Sequence, residues 1–185
     1  ILVVDQHAGF QPQAGVDTYD GVHPNERGEA KMAQKWFQAL QTILPRAQTF
    51  YRGINVGGSK TVVDGRTWDG QGAANFSSVG TPYTYSSVAF NPAVSSDRAT
   101  MLRSFIYGTD VRLTLTAVPN GTYDVYLWTF EDNYPLTANL SVEGSRVATY
   151  TSGPAGKWNR LGPFRANVAD GNITVRFQTT SSDQC

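Results

Sequence analysis

The sequence predicts a mainly β chain: an antiparallel β-sandwich preceded by a short strand, a loop and a helix. Three observations predict it. Strand signals recur between turn residues from 48 to 183, at 61–63, 111–116, 123–130, 146–150 and 172–178. Within them Val111, Leu113 and Leu115 alternate with Arg112, Thr114 and Thr116, the period of a half-buried strand. Helical periodicity is confined to the first 45 residues, and no helix-period stretch is legible after them.

Taken in order, Ile-Leu-Val-Val at 1–4 reads as a short apolar strand of the kind buried in a parallel sheet. A loop through Gly9, Pro12 and Gly15 follows. Asn25 is placed to cap a helix. Ala33, Trp36, Phe37, Leu40, Ile43 and Leu44 fall on one stripe of that helix, which is expected to be core, and Pro45 closes it. Residues 46–49 read as a linker, and 50–185 as the sandwich. Pro119-Asn120-Gly121 predicts a hairpin joining the strands on either side, and Asp170-Gly171 is a second turn signal.

Composition narrows the function. The chain has 185 residues with 15 Lys+Arg against 15 Asp+Glu, a formal net charge of zero. That balance argues against a basic nucleic-acid footprint and against an acidic solvating tail. No apolar run approaches the ~18 residues of a membrane helix. The lone cysteine, Cys185, excludes an internal disulfide and a thiolate metal cluster. A start in mid-strand without Met, and without the basic lead of a signal peptide, reads as a fragment or a processed form.

The informative string in the first segment is Asp20-Gly21-Val22-His23-Pro24-Asn25. An acid three residues before a histidine, in a Gly/Pro loop, can reach the imidazole Nδ1, fix the tautomer and leave Nε2 as a general base. The string also reads as a plain surface turn leading into an N-cap. His7 has no such acid and reads as a loop histidine.

The block Y-D-G-V-H-P-N-x-x-G-x-x-K-M-A at 19–33 resembles the last, DxxH block of the SGNH/GDSL hydrolases, with the acetylesterases of xylan the closest flavour. The resemblance covers about 45 residues, the C-terminal remnant of such a domain. It implies that Asp20 and His23 are the acid and base of a catalytic triad. The family's serine block, Gly-Asp-Ser, is absent from this chain, and its oxyanion blocks belong upstream. The implied partner is therefore an upstream esterase domain, without which 1–45 is inactive and exposes apolar surface.

In the second segment, the run 50–58 with Val63-Asp64-Gly65-x-x-Trp68-x-Gly70, and then 122–133, resembles malectin-like carbohydrate-binding domains. These are jelly-roll-type sandwiches appended to polysaccharide-degrading enzymes. The resemblance implies an extracellular, non-catalytic module holding an esterase on xylan or another plant-cell-wall glycan, with no nucleic-acid or membrane partner. A pure structural sandwich is the rival reading. The family usually adds a strand after the stretch matching 172–177, so a last strand is expected to be missing or supplied from elsewhere.

Sugar binding needs flat aromatic faces for the C–H side of the ring and polar side chains for its hydroxyls. Strand 123–130 offers Tyr123, Val125 and Leu127 on one face and Tyr126, Trp128 and Phe130 on the other, so Trp128 is either sandwich core or ligand platform. The loop Glu131-Asp132-Asn133-Tyr134 is a second candidate, where loops concentrate function. Trp68, Tyr107 and the exposed-looking Lys157-Trp158-Asn159-Arg160 cluster complete the aromatic candidates, with Tyr83 and Tyr85 as rim residues. Asp64 and Asp69 read either as turn formers or as ligands of a structural calcium; no other cofactor is implied.

Overall fold

The computed structural model of the chain describes residues 3–43, 49–84 and 87–180. It divides into two units, Ile1–Phe50 and Tyr51–Cys185. The first is organised around one helix, α1 (Glu26–Ile43), which begins where the sequence places it. The Asn25 Oδ1 accepts the Gly28 N–H at 3.1 Å, and Glu26 and Glu29 put negative charge on the positive end of the helix.

The loop before α1 is folded by polar groups. The Asn25 side-chain amide donates to the carbonyls of Val16 (3.2 Å) and Thr18 (3.1 Å). Asp17 is wholly buried, and it accepts from Lys31 Nζ at 2.6 Å and the Gln11 N–H at 2.7 Å, with Arg27 Nε 3.2 Å away. The Lys31 hydrogen bond holds the Asp17 carboxyl below the ordinary value of 3.8. Loop and helix meet at Gly28, where a Cβ would stand 2.0 Å from the Asp17 carbonyl oxygen. No side chain larger than hydrogen fits there.

Two expectations for this unit are corrected. Val3 and Val4 are not in a strand, and Val3 is 83% exposed. A strand needs a neighbour to take its hydrogen bonds, and the described residues of this unit contain none. The apolar stripe of α1 is not core: Ala33 and Leu40 are exposed, Trp36 is 47% and Phe37 62% exposed. Periodicity made the helix amphipathic, but the described residues of this unit contain no second layer to cover its apolar face. Ile1, Leu2, Leu44, Pro45, 46–48, Tyr85 and Cys185 lie outside the described residues.

The second unit is a mainly antiparallel β-sandwich, as predicted. Its elements are β1 (Ile54–Asn55), β2 (Thr61–Val63), β3 (Arg66–Gly70), β4 (Phe76–Thr84), α2 (Ser96–Leu102), β5 (Ser104–Leu115), β6 (Gly121–Phe130), β7 (Thr137–Val142), β8 (Ser145–Thr151), β9 (Trp158–Val168) and β10 (Ile173–Thr179). One sheet has the order β4-β5-β10-β7-β8; β6 and β9 pair separately; and β1-β3-β2 form a small third sheet. Among the described strands, β1 with β3 is the parallel pair. Val111, Ala138, Leu140, Val142, Tyr150, Val175 and Phe177 form the inner face of the large sheet, and Tyr123, Val125, Leu127, Leu161, Phe164 and Ala166 of β6 and β9 pack on it. Of the predicted inward set Val111, Leu113 and Leu115, the first two pack in this core, Leu115 is half-buried without joining it, and Arg112 is outside.

Two-residue hairpins form where glycine follows an acid. Asp64-Gly65 (φ 51 and 73) joins β2 to β3, and Glu143-Gly144 (φ 51 and 71) joins β7 to β8. Both central residues have positive φ, the form that matches strand twist. The turn at 119–121 is not a hairpin, because β5 and β6 belong to different sheets. The same holds for Asp170-Gly171 between β9 and β10. Both turns are corners between layers, joined where the buried Val118 donates its N–H to the Gly171 carbonyl at 2.9 Å. The chain also contains α2, against the expectation of no helix here. Seven residues are too few to display a period, and α2 is held by burying Met101 and Leu102. β10 sits at the centre of the large sheet, paired to β5 and β7, so the open edges belong to β4 and β8.

Candidate functional site

In the first unit the turn before α1 assembles the predicted acid–base pair. Asp20 Oδ1 accepts the N–H groups of Val22 (3.0 Å) and His23 (2.8 Å), an Asx turn made feasible by Gly21 at φ 89. That leaves Oδ2 to take the His23 Nδ1–H at 2.7 Å. Thr18 Oγ1 holds the Gly21 N–H at 2.8 Å, and the Tyr19 N–H donates to the His23 carbonyl at 2.8 Å. The His23 backbone N–H, then its ring N–H, lower the Asp20 carboxyl below its ordinary value. An ionised Asp20 fixes the tautomer with Nδ1 protonated, and Nε2 makes no hydrogen bond among the described residues. Both side chains are more than half exposed, His23 at 76% and Asp20 at 54%. The pair is a proton acceptor with an open side.

In the second unit the outer face of β6 and β9 gathers aromatic rings and guanidinium groups. Register sets Trp128 opposite Arg160 and Phe130 opposite Trp158. The two indoles stack with centroids 5.6 Å apart and planes at 21°. The Trp158 Nε1–H donates to the Pro92 carbonyl at 2.7 Å, which fixes that ring. The Arg160 Cζ lies 3.9 Å from the Tyr126 ring centroid and 5.9 Å from that of Trp128, and the Arg98 Cζ lies 5.6 Å from Trp128. Beneath, Val63, Met101 and Leu102 form a small second core on which Trp68, Phe90, Phe130, Trp128 and Trp158 pack half-buried. Trp128 is thus both core and part of the face. Trp158 is less exposed than its polar neighbours in the sequence suggested.

The other candidates separate around this face. Glu131 is buried, and its Oε1 accepts the Asn133 N–H at 3.0 Å inside its own turn. Its main chain is bonded to Lys157 and Gly156 at 2.8 Å each, so the loop adjoins the start of β9. Asp132 is half-buried, while Asn133 and Tyr134 are exposed at the tip. Trp68 backs onto Gly53, where a Cβ would come within 2.5 Å of the indole. Tyr107 is half-buried, and reaches the cluster only through a relay of rings: Tyr83 (6.1 Å), then Phe105 (5.6 Å), then Phe130 (6.1 Å).

Asp64 and Asp69 are each engaged by an arginine. Arg98 holds Asp64 with a fork of 3.0 and 2.9 Å, while the Asp64 N–H donates to Asp97 Oδ2 at 2.8 Å. Arg52 Nε donates to Asp69 Oδ2 at 2.9 Å. Among the described residues no group of three or more His, Cys, Asp or Glu is placed to hold a metal ion. Asp64 also occupies the tight β2–β3 turn.

Sequence reasoning missed Arg98 and the role of Arg160. Arg98 stands on a helix with no legible period. Arg160 is visible beside Trp158, but only strand register sets it against Trp128 and Tyr126.

No protein-family model and no curated protein matches this chain. Among solved structures it is similar to Bacteroides uniformis beta-glucuronidase 2 covalently bound to cyclophellitol-6-carboxylate aziridine, with 18% sequence identity and a TM-score of 0.55. The match covers 70% of this chain and 16% of that chain. A match of that length exceeds the whole of Ile1–Phe50, so it rests mainly on the sandwich. At this identity the likeness is one of fold.

Proposed function

We propose that the sandwich is a non-catalytic carbohydrate-binding module that holds an attached carbohydrate esterase on plant-cell-wall polysaccharide, in an extracellular setting. The observation that carries this reading is the stacked Trp128–Trp158 pair on the outer face of β6 and β9, with arginine guanidinium groups beside it. Indole surface meets the apolar side of a sugar ring, and the guanidinium N–H groups and the Asn133–Tyr134 tip meet its hydroxyls. The malectin-like sequence features support the reading. So does a fold shared with part of a protein whose name is that of a sugar-cleaving enzyme. No cofactor is needed: a calcium at Asp64 or Asp69 would compete with Arg98 and Arg52 for those carboxylates.

Affinity electrophoresis tests it. The chain is run through gels cast with xylan, xyloglucan, β-glucan, mannan or pectin. Retardation by at least one polymer is expected, weakened about tenfold or more in Trp158→Ala, the loss typical of a central aromatic anchor. Absence of retardation in every gel overturns the reading in favour of a purely structural sandwich.

A second reading has its own observation, the Asp20–His23 contact of 2.7 Å with Nε2 open. In it the first unit is the end of an SGNH-type esterase domain whose serine lies outside this chain, and the exposed stripe of α1 meets the rest of that domain. The chain alone should hydrolyse p-nitrophenyl acetate no faster than free imidazole at equal concentration. A rate well above that background would mean that a nucleophile is present in the chain itself.

A further inference from the structure

We infer that the glycan held by this face carries a carboxylate, and that Arg160 is the residue that reads it; this rests on the binding-module reading above. Arg160 is exposed, and among the described residues its guanidinium makes no hydrogen bond and no ion pair. It does not hang in solvent. Its Cζ lies 3.9 Å from the Tyr126 ring centroid, with the Trp128 ring on the same face. A guanidinium held against an aromatic face keeps its N–H groups pointing outward around its plane, a fork already oriented for a planar carboxylate. Arg98, the other cation at Trp128, is already ion-paired to Asp64 through its Nε–Nη2 edge. Among the described residues, Arg160 is thus a cation beside the indole pair with no carboxylate partner.

A guanidinium can donate to sugar hydroxyls, as neutral amides do, but only an anionic partner draws on its charge. A charge-assisted, bidentate contact to a carboxylate is roughly twice as strong as a neutral hydrogen bond. The ligand class is thus a uronic-acid-bearing polysaccharide, with the sugar ring over the indoles and its carboxylate on Arg160. Lys157 lies just before β9 and Asn133 in the adjoining loop, whose own acids are the buried Glu131 and the half-buried Asp132.

The test uses the whole 185-residue chain and two forms of one polymer: glucuronoxylan, and glucuronoxylan whose carboxyl groups have been reduced to alcohols. In affinity gels the acidic form is expected to bind about tenfold more tightly than the reduced form, the scale of a charged hydrogen bond. Arg160→Gln should bring the two forms level while retardation by the reduced form persists, which also reports that the variant is folded. Arg160→Lys, which keeps the charge and loses the fork, should fall between. Arg165→Gln is the control, an exposed arginine of β9 whose contact is to Asp124 at 3.9 Å, and it should leave the preference intact.

Equal retardation by both forms, or a preference that survives Arg160→Gln, overturns the assignment of Arg160 and leaves the module reading standing. An equal loss in Arg165→Gln also overturns it, because general charge then suffices. Failure of both forms, and of every neutral gel, overturns the module reading and this inference together.

Discussion

The two units hold themselves together by different means. In Ile1–Phe50 the groups excluded from water are polar: Asp17 and Thr18 are buried, while Trp36, Phe37, Tyr19 and Val22 are exposed. In Tyr51–Cys185 the buried set is chiefly Leu140, Val142, Val175 and their apolar neighbours, with Asn55, Glu131 and Ser152 the polar residues buried among those described. The difference teaches that an amphipathic helix is not by itself a core. Its apolar stripe needs a second layer, which β6 and β9 supply to the large sheet and which the described residues of Ile1–Phe50 do not supply to α1. What orders the first unit instead is directional bonding from Asp17, Thr18 and Asn25.

Truncating the centre of the sandwich should give the largest effect. Leu140 is completely buried between the layers, so Leu140→Ala should cost about 2–5 kcal/mol in urea unfolding followed by fluorescence of Trp128 and Trp158. A loss under about 0.5 kcal/mol would mean that the layers are not packed as described.

Acid should act next, and on the first unit. The Asp17 carboxyl is held below 3.8 by the Lys31 hydrogen bond, so its stabilising contribution is complete above that value and lost as pH falls through its lowered value. The helical ellipticity of α1 should decline below about pH 4, and Asp17→Asn should lower it already at neutral pH. A full helix signal in that variant would break the contrast drawn here, because apolar contacts would then be holding α1.

The smallest effect is expected at Asp20. Asparagine can still accept the Val22 and His23 N–H groups, so Asp20→Asn should leave the circular dichroism of α1 unchanged. Loss of helix would show that the acid–base pair is a structural brace rather than an open proton acceptor.

These contrasts follow how much was legible beforehand. The Asn25 cap, α1, the alternation of β5 and the Asp20–His23 contact all rest on neighbours within about four residues, and local spacing suffices to read them. The fate of the α1 stripe was not legible, because burial depends on what lies opposite. Nor were the corners at 119–121 and 170–171: turn residues announce a reversal but not whether the next strand pairs or changes layer. Trp128 and Trp158 could be named as candidates, yet their stacking and the Arg160–Tyr126 contact depend on the β6–β9 register, which is irregular between Val125 and Leu127.

By itself, then, the sequence determined the class of each segment, the helix start, the alternation of the central strands and the acid–histidine turn. All are governed by short-range sterics and hydrogen bonds. Only the tertiary structure decided that β10 lies at the centre of the large sheet, that Asp64 and Asp69 are held by Arg98 and Arg52, and that Arg160, with no hydrogen bond or ion pair among the described residues, stands beside two stacked indoles. Those outcomes join residues 17 to 66 positions apart and more, and such pairings are selected by the joint burial of whole faces, which no local window contains.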